Sequence, residues 1–336
     1  MRTSALALAV VPALAFFPAL ANDSTAELST GGLIFVRNDA VEMVSEDLAI
    51  SAKEVSVRYR FSNKSDKDVT VLVAFPMPDI HIEGPDENVS VPTEDPVNIL
   101  GFTTVVNGKP VTTQVEQRVL AAGLDRTQVL RTLGIPLAPH LASTNDALDR
   151  LPLEKWDELL RIGVAEVEEY DSGRGMAKHL AARWTLQTTY YWEQTFPAKG
   201  ETAIEHRYKP SVGASVQTSL GSPDADKEPW YQEYKDKYCF DSQFLAAIER
   251  ARKVANAKFG GPFSEERLDY ILKTGANWSG PIKDFRMVID KGAADNLVSF
   301  CGEDVKKIGD TQFEMKKTDY TPDGNLAILI LKKLPQ

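Results

Sequence analysis

Cysteine is nearly absent from this sequence, with Cys239 and Cys301 the whole supply in 336 residues. That excludes a cysteine-rich scaffold and the repeated Cys-x-x-Cys spacing of structural metal sites. Histidine is scarce too. His81, His140, His179 and His206 stand far apart without metal-ligand spacing, so each reads as a surface or packing residue. The chain has no Gly-x-Ser-x-Gly elbow, no His-Glu-x-x-His, no phosphate-cradling glycine loop, no dinucleotide-binding glycine pattern and no EF-hand loop. No catalytic residue, metal or cofactor is therefore assigned. Positive charge is also in deficit: 38 Lys and Arg against 48 Asp and Glu give a net charge of −10. Such a chain lacks the basic footprint that nucleic acid or an anionic membrane surface requires.

Long apolar runs are missing except at the N-terminus. Arg2 precedes an apolar stretch from Ala5 to Phe17, and Ala19-Leu20-Ala21 supplies a small-x-small site before Asn22. This is the anatomy of a secretory signal peptide cleaved after Ala21, and the run is short for a membrane span. A periplasmic or secreted protein is expected, with no span left after cleavage. In that compartment an even pair of cysteines reads as one disulfide, Cys239–Cys301. Closing a loop of that length stabilises a fold by about 4 kcal/mol in the chain-entropy picture.

The mature chain divides into three regions. From about Ala26 to Val119 it is strand-rich. Val55, Val57, Tyr59 and Phe61 alternate with polar residues, Asn63-Lys-Ser-Asp66 offers a turn, and Val69, Val71, Val73 and Phe75 resume the alternation. This predicts an antiparallel hairpin. A second hairpin is expected across Asn107-Gly108, running on to Val119. The region from about Leu120 to Lys178 reads as a helical insertion. Leu153, Trp156, Leu159, Leu160, Val164, Val167 and Tyr170 fall on one face of a helix from Pro152 to Tyr170. Strands return from Trp184, interrupted by a helix from Ser242 to Lys258 capped by Asp241. The expected class is α+β and β-rich, an antiparallel β-sandwich core with the helical insertion and a second helix packed on the sheets. One composite domain over 22–336 is the first reading, and two β domains split near residue 220 the second.

The aromatic cluster Trp230, Tyr231, Tyr234 and Tyr238 is the binding candidate, because aromatics with polar tips suit peptide or glycan surfaces. Its spacing of three to four also fits a helix packing an aromatic face into a core beside Cys239. Two acidic groups have calcium-like chemistry: Asp79, Glu83, Asp86 and Glu87, and Glu42, Glu46 and Asp47. Neither shows the loop geometry of a calcium site, and a solvated acidic surface is the simpler reading.

Several segments resemble an uncharacterised family of exported bacterial proteins, a domain of unknown function. They include Asn22-Asp-Ser-Thr-Ala-Glu-Leu28, Val57-Arg-Tyr-Arg-Phe61, Val73-Ala-Phe-Pro-Met-Pro-Asp79, Tyr191-Trp-Glu-Gln-Thr-Phe-Pro197, His206-Arg-Tyr-Lys-Pro-Ser211 and Thr274-Gly-Ala-Asn-Trp278. The resemblance spans the mature chain and implies export, with no established reaction. The order Tyr59-x-Phe61-x-Asn63, Phe75-Pro-Met-Pro78, Asn107-Gly108 and Phe196-Pro197 is similar to the β-sandwich of vault and inter-alpha-trypsin-type domains. The insertion from Leu120 to Lys178 departs from that pattern. Together these features favour a non-catalytic envelope module that binds a protein or glycan. A secreted hydrolase with a dispersed carboxylate pair and a purely structural envelope protein are the alternatives.

Overall fold

The alternating runs Val55–Asn63 and Val69–Pro76 are both strands, yet they lie in different sheets and form no hairpin. The structure is a computed structural model describing residues 22–29, 32–81, 88–171, 173, 175–257 and 260–335. The stretch read as a signal peptide, and Glu83, Asp86 and Glu87 of the acidic loop, lie outside the described residues. Val55–Asn63 pairs with Val41–Ser51 and Glu201–Tyr208 in an eight-stranded sheet. Val69–Pro76 pairs with Ser24–Ser29 and Thr185–Phe196 in a seven-stranded one.

The Asn63 turn is thus an arch between sheets. Asn63 is buried. Its Nδ2 donates to the carbonyls of Lys67 (2.8 Å) and Phe196 (2.9 Å), and its Oδ1 accepts from Ser65 N at 2.9 Å. Pro197–Gly200 makes a second arch, tied to the first by Asn63 N donating to Gly200 O and Lys199 N to Ser65 O. Alternation reports a buried face and is silent about the partner strand, while Asn and Ser serve arches and hairpins alike. Asn107-Gly108 does close a hairpin, with φ of +48° and +76°. It ends at Val111, and Gln114–Ala121 crosses to the seven-stranded sheet.

Side chains of the two large sheets meet in one core. Phe61 packs against Phe196 with ring centroids 5.6 Å apart, and Phe75 and Trp192 pack against His206 at 5.0 and 5.3 Å. Each such side chain withdrawn from water contributes about 2 kcal/mol. Among the described strands the pairing departs from all-antiparallel at one place, where Ile282–Asp290 runs parallel to Val41–Ser51. The fold is α+β and β-rich, as expected.

The insertion holds three short helices, α1 (Thr127–Thr132), α2 (Ala142–Asp149) and α3 (Leu153–Arg161). The helix expected to reach Tyr170 stops at Arg161. Gly163 takes φ +74°, its N–H donates to Leu160 O, and Val164 N–H donates to Leu159 O. These two bonds satisfy the last carbonyls in the manner of a Schellman motif. Val167 and Tyr170, which continue the helical spacing, lie instead on the strand Ala165–Asp171, paired with Met176–Ala182.

Two more helices, α4 (Pro229–Tyr238) and α5 (Ser242–Val254), cover a smaller core of Tyr238, Phe240, Phe244, Ile248 and Phe263. Asp241 caps α5 as expected, accepting from Phe244 N at 2.7 Å. The strand Leu326–Lys333 separates the two cores. Ile328 and Ile330 face the larger core and Leu329 and Leu331 the smaller, which is why this strand reads as a continuous apolar run. The Cys239–Cys301 disulfide joins the end of α4 to the residue after the strand Leu297–Phe300, with Cα atoms 5.0 Å apart. No helix among the described residues is long and apolar enough to cross a membrane.

Candidate functional site

Two groups of polar side chains stand out, one sealed in the larger core and one lining a cleft. The sealed group is built from strand phase. On Val41–Ser51, Val41 and Met43 face inward, the register shifts between Met43 and Ser45, and Glu46, Leu48 and Ile50 then face inward. A bulge of this kind moves every later side chain to the opposite face. It delivers Glu46 to the core, 1% exposed, so Glu46 belongs to no solvated calcium-binding surface. On Glu201–Tyr208 simple alternation turns Thr202, Ile204, His206 and Tyr208 inward.

His206 Nδ1 lies 3.0 Å from Thr104 Oγ1, and its Nε2 lies 3.0 Å from Asp23 Oδ1. Beside this row, Asn22 Nδ2 donates to Glu46 Oε2 at 3.0 Å, and the Tyr59 hydroxyl donates to Asn22 Oδ1. Thr274 Oγ1 donates to Asn22 O at 2.7 Å, and Trp278 Nε1 donates to Asp23 O. Burial pushes the Asp23 carboxyl above its ordinary range against the attraction of His206. Burial likewise pushes Glu46 up to about 8, opposed by the Asn22 bond and reinforced by the Asp23 charge.

The order Thr104, His206, Asp23 is that of a nucleophile, base and orienting acid. No substrate reaches it, since all three side chains are buried and the rings of Phe75, Phe102 and Trp192 pack round the imidazole. The raised carboxyls Asp23 and Glu46 are closed off in the same way. In this conformation the group is structural.

The cleft is about 160 Å³ and opens beside α4. It gathers charged and ionisable side chains from distant parts of the chain: Asp79 and His81, Lys237 of α4, and Arg267 and Asp269 of the strand Phe263–Tyr270. Asp79 Oδ2 accepts from Gln187 Nε2 at 3.0 Å, while its Oδ1 is buried without a partner among the described residues. Burial holds this carboxyl above its ordinary range, against Gln187 and His81. Arg267 Nη1 donates to Glu265 Oε2 at 2.8 Å, which fixes the guanidinium along the wall. Gly213 leaves it room, since a Cβ there would stand 3.3 Å from Arg267 Nε. Lys237 Nζ sits 3.6 Å from Asp269 Oδ1 at the rim.

The aromatic cluster lies on α4, which begins with Pro229 at its first turn and ends where Cys239 takes φ +52°. Tyr238 is buried and its edge lines the cleft. Tyr234 packs on Tyr238 at 4.7 Å, and its hydroxyl donates to Glu265 Oε2 at 2.7 Å. Tyr231 is half-buried, and Trp230 is 36% exposed. The helix therefore divides the four between core and surface. No set of three or more His, Cys, Asp or Glu residues arranged for a metal ion occurs among the described residues.

Known proteins give two points of comparison. No curated protein matches the chain. Among solved structures, the chain is similar to a Legionella pneumophila protein to which nutrient binding is provisionally ascribed, at 16% identity and a TM-score of 0.43, over 93% of this chain and 70% of that one. A family profile matches residues 21–329, essentially all of the chain described above, and by that match the protein belongs to the family described as Domain of unknown function (DUF4424).

Proposed function

We propose that this protein is exported to the cell envelope and acts there as a binding module, its mixed-charge cleft receiving a small polar group carried by a peptide or glycan. The observation that carries the reading is Asp79 Oδ1, a buried carboxylate oxygen with no hydrogen-bond partner among the described residues, in a cleft that also holds Lys237, Arg267 and His81. A buried acceptor left unpaired costs about 1–3 kcal/mol, and a ligand donor such as an ammonium or hydroxyl recovers it. Arg267 and Lys237 suit a carboxylate or acidic sugar on the same ligand. Small concave sites with a few convergent polar groups are the usual form of ligand pockets. Export rests on the signal-like N-terminus.

Hydrolysis is the weaker reading, because the carboxyls Asp23 and Glu46 are shut inside the core. The test uses the purified chain beginning at Asn22 and a panel of amino acids, dipeptides and uronic acids in thermal-shift and calorimetric titrations. At least one probe is expected to bind, and Asp79→Asn to weaken it about tenfold or more. A panel that binds neither protein, or binds both equally, rejects the cleft. Fractionation of cells expressing the full chain tests export separately.

A further inference from the structure

The sealed cluster is short of positive charge. Asp23 and Glu46 are both fully buried, and His206 is the sole basic side chain within ion-pair distance of either among the described residues. Asp23 Oδ2 and Glu46 Oε1 are buried without a hydrogen-bond partner among the described residues. A buried carboxylate without compensation is costly, so one further cation, or a proton held at some expense, is required. Among the described residues no Lys or Arg supplies it.

Asn22 lies in the same place. It is fully buried, and its side chain touches Glu46 directly. It is also held by bonds from Tyr59, Asp23 N and Thr274. Gly275 closes over it with no room to spare, since a Cβ at Gly275 would fall 2.6 Å from Asn22 Nδ2. Seating one residue so firmly beside a carboxyl group that has no cationic partner among the described residues is unexplained by a surface segment passing by. The preceding residues, Ala19-Leu20-Ala21, have the small-x-small pattern of a signal-peptidase site.

We propose that the α-ammonium of Asn22, freed by cleavage of the Ala21–Asn22 bond, is the missing counter-charge of this cluster, so that removal of the N-terminal segment completes the core. The reaction is hydrolysis by an endopeptidase. Water adds to the Ala21 carbonyl carbon, the C–N bond breaks, Ala21 keeps a carboxylate, and the Asn22 amine takes a proton. An amide nitrogen carrying no charge becomes a cation at the residue that already contacts Glu46. Unprocessed protein then keeps a strained core, and processed protein gains an ion pair insulated from salt.

The idea rests on the export reading only for the peptidase that cuts, and the central test does not need it. Four recombinant chains are compared by thermal melting: one beginning at Asn22, one with Gly-Ser added before it, and each again with Glu46→Gln. The extension is expected to lower Tm by about 5–10 °C with Glu46 present and by less than half as much in the E46Q background. Equal losses in both backgrounds, or no loss in either, overturn the proposal. Should E46Q fail to fold, the chain beginning at Asn22 is compared with its Nα-acetylated form, which removes the charge with little added bulk. A loss on acetylation supports the ion pair, and an unchanged Tm overturns it. N-terminal sequencing of the protein processed by a bacterial host is expected to read Asn22 first, and any other first residue overturns the assignment. A cytoplasmic location in fractionation would reject the export reading alone and leave the melting comparison standing.

Discussion

His206 Nε2 stands 3.0 Å from Asp23 Oδ1, and both side chains are shielded completely from solvent. The pair links the segment entering the fold to the strand Glu201–Tyr208 of the eight-stranded sheet, across 183 residues of sequence. Removing one partner strands a charge or a polar ring in the core. His206→Ala and Asp23→Asn are each expected to destabilise by about 3–5 kcal/mol in urea unfolding. The double variant should cost clearly less than the sum of the two. Additive losses would show that the two groups do not interact.

Glu46 sets a pH dependence with a definite sign. Its carboxyl is raised from 4.5 to about 8 by burial in a chain whose Asn22 nitrogen is part of a peptide bond. Between those two values the folded state holds a proton that the unfolded state has released. The stabilising contribution is therefore full below about pH 4.5 and is lost as pH rises toward 8. Tyr59, Tyr270, Asn22 and Asp23 face the group, and the Asp23 carboxyl is shifted in the same direction. Melting of the extended chain from pH 5 to 8 should fall steadily, and Glu46→Gln should flatten the curve. The chain beginning at Asn22 should show the smaller slope, since its ammonium favours ionised Glu46. A rise in Tm with pH in the extended chain would contradict the assignment.

These groups were partly legible in the sequence. Val41, Met43, Glu46, Leu48 and Ile50 show the phase change of a bulged strand, so Glu46 could have been read as inward. His206 shares its strand face with Ile204 and Tyr208. The hairpin expected across Asn63 went wrong because alternation identifies a face and leaves the neighbour open, and burial at Asn63 depends on Phe196 O, 133 residues away. The cleft was invisible for the same reason. Asp79 comes from a connection between strands, Lys237 from α4 and Arg267 from the strand Phe263–Tyr270, and no spacing along the chain brings them together.

The Cys239–Cys301 disulfide closes a loop of 62 residues that contains α5 and the strands Phe263–Tyr270 and Ile282–Asp290. It also holds the end of α4 against the smaller core. Reduction, or replacement of both cysteines by serine, is expected to cost about 4 kcal/mol at most and to lower Tm measurably. Proteolysis should then cut first around α4, whose end the disulfide ties to the residue after the strand Leu297–Phe300. An unchanged Tm on reduction would count against a staple role.

The aromatic residues of α4 can be separated by role. Tyr234 donates to Glu265, which also accepts from Thr218 and pairs with Arg267 on the wall of the cleft. Tyr234→Phe keeps the ring packing and removes one bond to a buried carboxylate. It should therefore destabilise by about 1–3 kcal/mol without emptying the core. Trp230 stands at the surface, where its ring touches Tyr231 and Tyr234 edge-on. Trp230→Ala should cost about 1 kcal/mol or less. The two variants answer the question that spacing alone left open on this helix. A large loss of stability for Trp230→Ala, or none for Tyr234→Phe, would reverse the assignment of core and surface along α4.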